Sequence, residues 1–422
     1  MFIRLWALGL VRLFFPVRAV SGVAHVPASG PVIVVANHPN GLLDPLVVRL
    51  ALRRPVGFLA KSTFWDTAFF RACMEAFGAL PVFRPQEADA SKNAGTFARA
   101  GALLAAGGWL ALFPEGTSHD GTVLAPMKTG AARIALDAGV PVTILPVGLC
   151  FADKDVFRSA VAVAVGAPFV VSPGTSDDRA SVDALTDRIG EALGQVVLQA
   201  EDAVVWRAML AVAFWTGATE LAAREARARQ LAARWRVLLA DDPAAAEQIA
   251  AEVRSFARTL AAVGVEDPFA IEAAAPRTVV AGLWPLVALA PLALVGTLVA
   301  WIPYRLVKPL AWRAAGGAQD IVGTAKLFVG SLLLGPTYVA WAAVAAWTQA
   351  YDPRRAAAAF AAGLLLGPVT GLAALVFDER LSLRRQAMRG IAVRLFQPQV
   401  ALAVAARRRE LVTTVEAALG EG

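Results

Sequence analysis

Between residues 31 and 200, short runs of apolar, mostly β-branched or aromatic residues alternate with stretches of helical periodicity. A mostly parallel sheet covered by helices requires that arrangement. The runs predict strands at 32–36, 56–60, 109–113, 143–149 and 161–165; 92–106 predicts a helix stopped by Gly107 and Gly108, and 128–138 one stopped by Gly139. Residues 202–240 then turn rich in Ala, Arg, Leu and Glu with no internal proline. Asp242-Pro243 supplies an N-cap and a first-turn proline for a further helix, in which Ile249, Val253, Phe256, Leu260 and Val263 recur at spacings of four and three. Three long apolar segments follow, 278–302, 327–347 and 356–377, each meeting the requirement of about 20 apolar residues for a spanning helix.

The expected fold is an α/β domain, a mostly parallel sheet flanked by helices, followed by a helical connector and C-terminal transmembrane helices. Its parts are an interfacial amphipathic helix at 1–21, the α/β domain at 22–200, the connector at 201–276, a membrane region at 277–378 and a basic helical tail at 379–422. The first stretch carries Trp6, Phe14 and Phe15 among Arg4, Arg12 and Arg18, with an apolar run too short to span a bilayer and no small-residue cleavage site. A plain core helix is the competing reading. Basic residues follow every apolar segment, so charge bias does not separate two spans from three. A hairpin of the last two, with the first segment re-entrant or in-plane, returns the basic tail with Arg407, Arg408 and Arg409 to the side of the α/β domain.

Composition narrows the partners. Hydrophobic residues make up 57% of the 422 positions and charged ones 17%, which points to lipid contact. The net charge of +7 then suits anionic headgroups, and no nucleic-acid role is expected. Cys73 and Cys150 lack CxxC spacing, and His25, His38 and His119 lack the pairing of a helical zinc site, so no metal centre is expected. Neither a P-loop nor a Gly-x-Gly-x-x-Gly turn occurs.

The chemistry gathers at strand ends. After the first strand stands Asn37-His38-Pro39-Asn40-Gly41-Leu42-Leu43-Asp44-Pro45. A histidine there can take a proton from an alcohol, and a carboxylate on its other nitrogen fixes the tautomer. Read alone, Asp44 could be only an N-cap and His38 a satisfied loop histidine. After the strand at 109–113 comes Pro114-Glu115-Gly116-Thr117-Ser118, where glycine lets backbone approach a ligand and Glu115 can accept from hydroxyls. A third run, Gly78 to Arg84, ends in a guanidinium suited to phosphate or carboxylate, although a lone arginine there is usually a solvated charge.

Together and in this order these elements resemble the glycerolipid acyltransferase superfamily, the lysophosphatidate and glycerol-3-phosphate acyltransferases, over roughly residues 31–170. Asn37, His38 and Asp44 match its first block, Gly78 and Arg84 its second, Phe113 to Ser118 its third, and the apolar run 140–147 with Pro146 its fourth more loosely. Five residues rather than four separate His38 from Asp44, a spacing similar to a branch that includes fungal glycerol-3-phosphate and dihydroxyacetone-phosphate acyltransferases. The resemblance implies that His38 is the base, oriented by Asp44. It also implies that Arg84, Glu115 and Gly116 hold the acceptor's phosphate and hydroxyls, that Pro146 shapes the acyl-donor side, and that Lys61 and Lys128 are further phosphate contacts. No cofactor is implied; acyl-CoA or acyl-carrier protein is the donor, and glycerol-3-phosphate or a lyso-lipid the acceptor. The implied setting is the cell membrane, with the α/β domain on its cytoplasmic face. Two rival classes are a serine hydrolase built on Ser118, His119 and Asp120, and a non-catalytic lipid-binding scaffold.

Overall fold

The computed structural model describes residues 2–16, 18–83, 93–273 and 282–418. Two compact units divide the chain: Met1–Ala233 with Ala315–Leu327, and Arg234–Ala314 with Phe328–Gly422.

The first unit is built on an eight-stranded sheet. Its strands are β1 (Arg18–Ser21), β2 (Val32–Ala36), β3 (Val56–Lys61), β4 (Leu80–Val82), β5 (Trp109–Leu112), β6 (Val142–Phe151), β7 (Val161–Val165) and β8 (Phe169–Val171). They lie in the order β1-β7-β6-β2-β5-β3-β4, with β8 also pairing β6. From β6 to β4 all neighbours are parallel, in registers such as Val32 beside Trp109 and Thr143. β7 and β8 run antiparallel to β6. Every residue of β2 is buried, as expected of a central parallel strand covered on both faces. Side chains alternate between those faces. Val32, Val34 and Ala36 share one core with residues of α1 (Phe2–Phe14), α2 (Leu43–Leu52) and α3 (Ala68–Phe77). Ile33 and Val35 share the other with α4 (Asn93–Ala105), α5 (Gly130–Leu136) and α6 (Arg179–Gly194).

Those faces decide where a site can form. The chain leaves β2 into α2 on one face and leaves the adjacent β5 toward α5 on the other, so the two exits diverge and a crevice opens between them at the carboxyl ends of the strands.

Several expectations are refined. The strands at β1 and β8 were not foreseen, while β4 falls within the run from Gly78 to Arg84; each has only three or four residues, too few for alternation to declare itself. The N-terminal helix is part of the first unit and buries Ala7, Val11 and Phe14 in its core, followed by Phe15, while Leu5 stays exposed. The stretch expected as one helix from 202 is two, α7 (Ala203–Trp215) and α8 (Leu221–Asp241), separated where Gly217 takes φ of 107°.

In the second unit, α9 (Pro243–Val263) starts as read, with Asp242 capping the Ala245 amide and Ile249, Phe256 and Leu260 buried. After α10 (Pro268–Ala273) come α11 (Trp284–Ala314), α12 (Gln319–Trp347) and α13 (Pro353–Phe396), each long and apolar enough to cross a membrane, then α14 (Pro398–Ala418). Part of the first apolar segment, 278–281, lies outside the described residues. α13 continues through Arg380, Arg384 and Arg385, so the basic tail begins inside a helix rather than after it.

Candidate active site

The peptide leaving β2 carries Asn37, whose amide is fastened on both sides to one residue of β6: Leu149 N–H donates to Oδ1 at 2.7 Å and Nδ2 donates to the Leu149 carbonyl at 3.0 Å. This clamp fixes the exit angle of the next residue, His38. The His38 ring stacks on Phe113, with centroids 4.2 Å apart and planes 19° from parallel. Its Nδ1 lies 2.8 Å from Asp44 Oδ2. Asp44 is in the first turn of α2, and the same Oδ2 accepts the Asn40 N–H at 2.7 Å. The extra residue between histidine and aspartate is taken up by Gly41 at φ of 51°. With Nδ1 committed to Asp44, Nε2 is the nitrogen left to meet a substrate, and about a fifth of the His38 side chain is exposed.

Asp44 is fully buried. Burial pushes its carboxyl above the ordinary range, against the opposing pull of the His38 hydrogen bond and charge, the Asn40 amide and the more distant Lys154.

Glu115, 2% exposed, binds inward. Oε1 accepts the His38 N–H at 2.9 Å, while Oε2 accepts the Ala125 N–H at 2.8 Å and pairs with His119 Nε2. Both oxygens are thus taken by groups of the protein, which makes Glu115 a brace between the His38 loop and the loop after β5. Gly116, at φ of 76°, turns the chain beneath the Lys128 stem, and a Cβ at this position would stand 3.0 Å from Lys128 Cγ. Lys128 is itself exposed, and its N–H donates to the Pro114 carbonyl at 2.6 Å.

The remaining expected residues are spread along the same sheet. Lys61 ends β3, beyond β5 from His38, with its register partner Val82 on β4. Pro146 is buried within β6 beside Val35 and its carbonyl accepts the Gly166 N–H at 2.9 Å, so it stands inside the sheet rather than on a loop. Arg84 lies outside the described residues.

Three partners escaped the sequence reading. Lys154 Nζ donates to the Pro39 carbonyl at 2.8 Å and pairs with Asp120, while its own carbonyl accepts Asn40 Nδ2 at 2.7 Å. Ser118 Oγ donates to Asp320, and Lys326 pairs with Asp155 at 2.9 Å. The signal for these was slight, since apart from Lys154 and Asp120 the partners are more than 100 residues apart in the chain. The same contacts answer the hydrolase reading: Ser118, His119 and Asp120 turn to Asp320, Glu115 and Lys154 respectively, not to one another.

A histidine and carboxylate at the mouth of an α/β sheet, braced by a Pro-Glu-Gly loop, form an arrangement chemically able to draw a proton from a hydroxyl. Residues 17–149 match the family described as Acyltransferase. Among similar proteins, an uncharacterized acyltransferase of Schizosaccharomyces pombe is 26% identical, over 47% of this chain and 44% of its own. The human 1-acyl-sn-glycerol-3-phosphate acyltransferase alpha is 29% identical over 42% of this chain and 63% of its own. Glycerol-3-phosphate O-acyltransferase 2 of Saccharomyces cerevisiae is 33% identical over 22% of this chain and 14% of its own. The matches thus cover less than two thirds of these relatives' lengths.

Proposed function

We propose that the chain is a membrane-bound O-acyltransferase that moves a fatty acyl group from an acyl thioester, carried by CoA or acyl-carrier protein, onto a hydroxyl of glycerol-3-phosphate or lysophosphatidate in phospholipid synthesis. The observation that carries this reading is the 2.8 Å contact of His38 Nδ1 with Asp44, which leaves Nε2 as the base. Nε2 takes the proton of the acceptor hydroxyl as its oxygen attacks the thioester carbonyl. The carbon–sulfur bond then breaks, the departing thiolate takes the proton back from the imidazolium, and an ester and a free thiol remain. Asp44 holds the ring in the productive tautomer and offsets the charge it gains.

The acceptor's phosphate and hydroxyls are assigned to Lys61 at the end of β3, to Lys128 just before α5 and to Arg84, with Glu115 and the Gly116 backbone beside them; Pro146 is assigned to the donor side. The names of the human and budding-yeast relatives support a glycerol-phosphate acceptor. Three helices suited to a bilayer support a membrane setting, which we assign to the cell membrane with the first unit facing the cytoplasm.

The test is a purified-protein assay crossing glycerol-3-phosphate and lysophosphatidate with acyl-CoA and acyl-carrier protein. Ester formation with one pair, abolished in His38→Ala, is the expected result. Transfer at an unchanged rate in His38→Ala removes the mechanism, and no transfer with any pair removes the proposed substrates.

A further inference from the structure

Length and composition give α11, α12 and α13 equal claims to cross a bilayer. Chain connectivity does not. Residues 315–327, which follow α11, belong to the first unit together with 1–233. Val322 and Leu327 are buried, a Cβ on Gly323 would stand 2.7 Å from Asn40 Oδ1, one on Gly41 would stand 3.3 Å from Ile321 and Thr324, and Lys326 holds Asp155. The chain therefore stands on the same side of any membrane at residue 233 and at residue 315. An even number of crossings must separate those two points. Among the described residues between them, α11 is the one helix long and apolar enough to cross, and the stretch 274–281 is too short to add another.

The second unit gives the same answer from different contacts. α12 and α13 are locally antiparallel: Gly363 packs on Ala342 and Gly367 on Tyr338, either side of the turn at 348–352. Both ends of α11 meet these helices far from that turn. Gly282, just before α11, lies against Arg384, which at 1.5 Å per residue is about 46 Å along α13 from Pro353. Val307, near its end, lies against Gly330, about 25 Å along α12 from Trp347. In between, Gly296 packs on the Thr370 carbonyl, still about 25 Å along α13 from Pro353. A hydrocarbon core is about 30 Å thick, so all three contacts fall toward one boundary.

We propose that α11 is an anchor that enters and leaves the bilayer through one leaflet, and that only α12 and α13 cross. The occupant of its outer surface is lipid. Leu294, Leu298 and Ile302, each more than 60% exposed, meet acyl chains, and Arg305, Lys308 and Arg313 reach the headgroups of the same leaflet.

Single-cysteine labelling tests this directly, because Cys73 and Cys150 are buried and give little background. Asp177→Cys reports the catalytic unit, Ala318→Cys the turn after α11, Gln349→Cys the turn after α12 and Glu410→Cys the tail. Each would be exposed to a membrane-impermeant maleimide in right-side-out and in inverted vesicles. Positions 177, 318 and 410 are expected to label in one vesicle type and 349 in the other. Labelling of 318 opposite to 177 makes α11 a span, and labelling of 349 together with 318 removes the crossing by α12; either result overturns the proposal. Gln319→Cys and Thr348→Cys report the same two turns if a first variant fails to accumulate.

Discussion

Asp44 has one oxygen shared between the His38 ring and the Asn40 amide, and a second, Oδ1, with no partner among the described residues, although the carboxyl is fully buried. A carboxyl raised on folding contributes stability below the ordinary carboxylate range, and that contribution is lost as pH rises through its folded value. At neutral pH the buried carboxylate is therefore a cost to the fold, kept for its effect on His38. Asp44→Asn should melt no lower than wild type at neutral pH while acyl transfer falls about 10³-fold, measured by thermal denaturation and initial rates side by side. Activity should also fall on acidification, since the base must be neutral; a rate that stays flat until the fold is lost, with chemistry limiting, would count against the dyad. This pair was legible in the sequence because its two members are six residues apart and sit at a strand exit and a helix start. The inward turn of Glu115 was not, since a Pro-Glu-Gly turn reads the same whether its carboxylate faces ligand or the Ala125 amide.

Among the elements, the first turns of α12 grip the loop after β5 through Ser118 and Asp320. If the two act through one another, Ser118→Ala and Asp320→Ala should each raise the acceptor KM by a similar factor and the double variant no further, whereas Asp320→Asn, which can still accept the hydroxyl, should resemble wild type. Gly116 makes a second point. Gly116→Ala would need an unfavourable φ of 76° and would crowd Lys128, so a loss of about 1 kcal/mol in stability and a weakened acceptor affinity are expected, read by denaturation and by KM. Long, fully buried strands such as β2 announced themselves through continuous β-branched runs. Short edge strands and the break at Gly217 did not, because three or four residues cannot show a period and a single glycine in an alanine-rich stretch is tolerated as readily as it is disruptive.

Across the whole molecule, the α/β layout was legible from alternating patterns, but the return of 315–327 to the first unit was not: those residues fall between two apolar segments, inside the stretch read as the membrane region. A fragment ending at residue 233 should accordingly be soluble only poorly and should lack acyl transfer even with His38 and Asp44 intact, because Asn40 and Gly41 lose their cover; full activity in that fragment would show the cover to be dispensable. The same discontinuity has a consequence for biosynthesis. A ribosome that has completed residue 233 has not yet delivered the last piece of the catalytic unit, and must first thread α11 into its surroundings before 315–327 can close over the histidine loop. On the proposed function, competence for chemistry is thereby deferred until α11 has been made, so an unfinished chain would be silent.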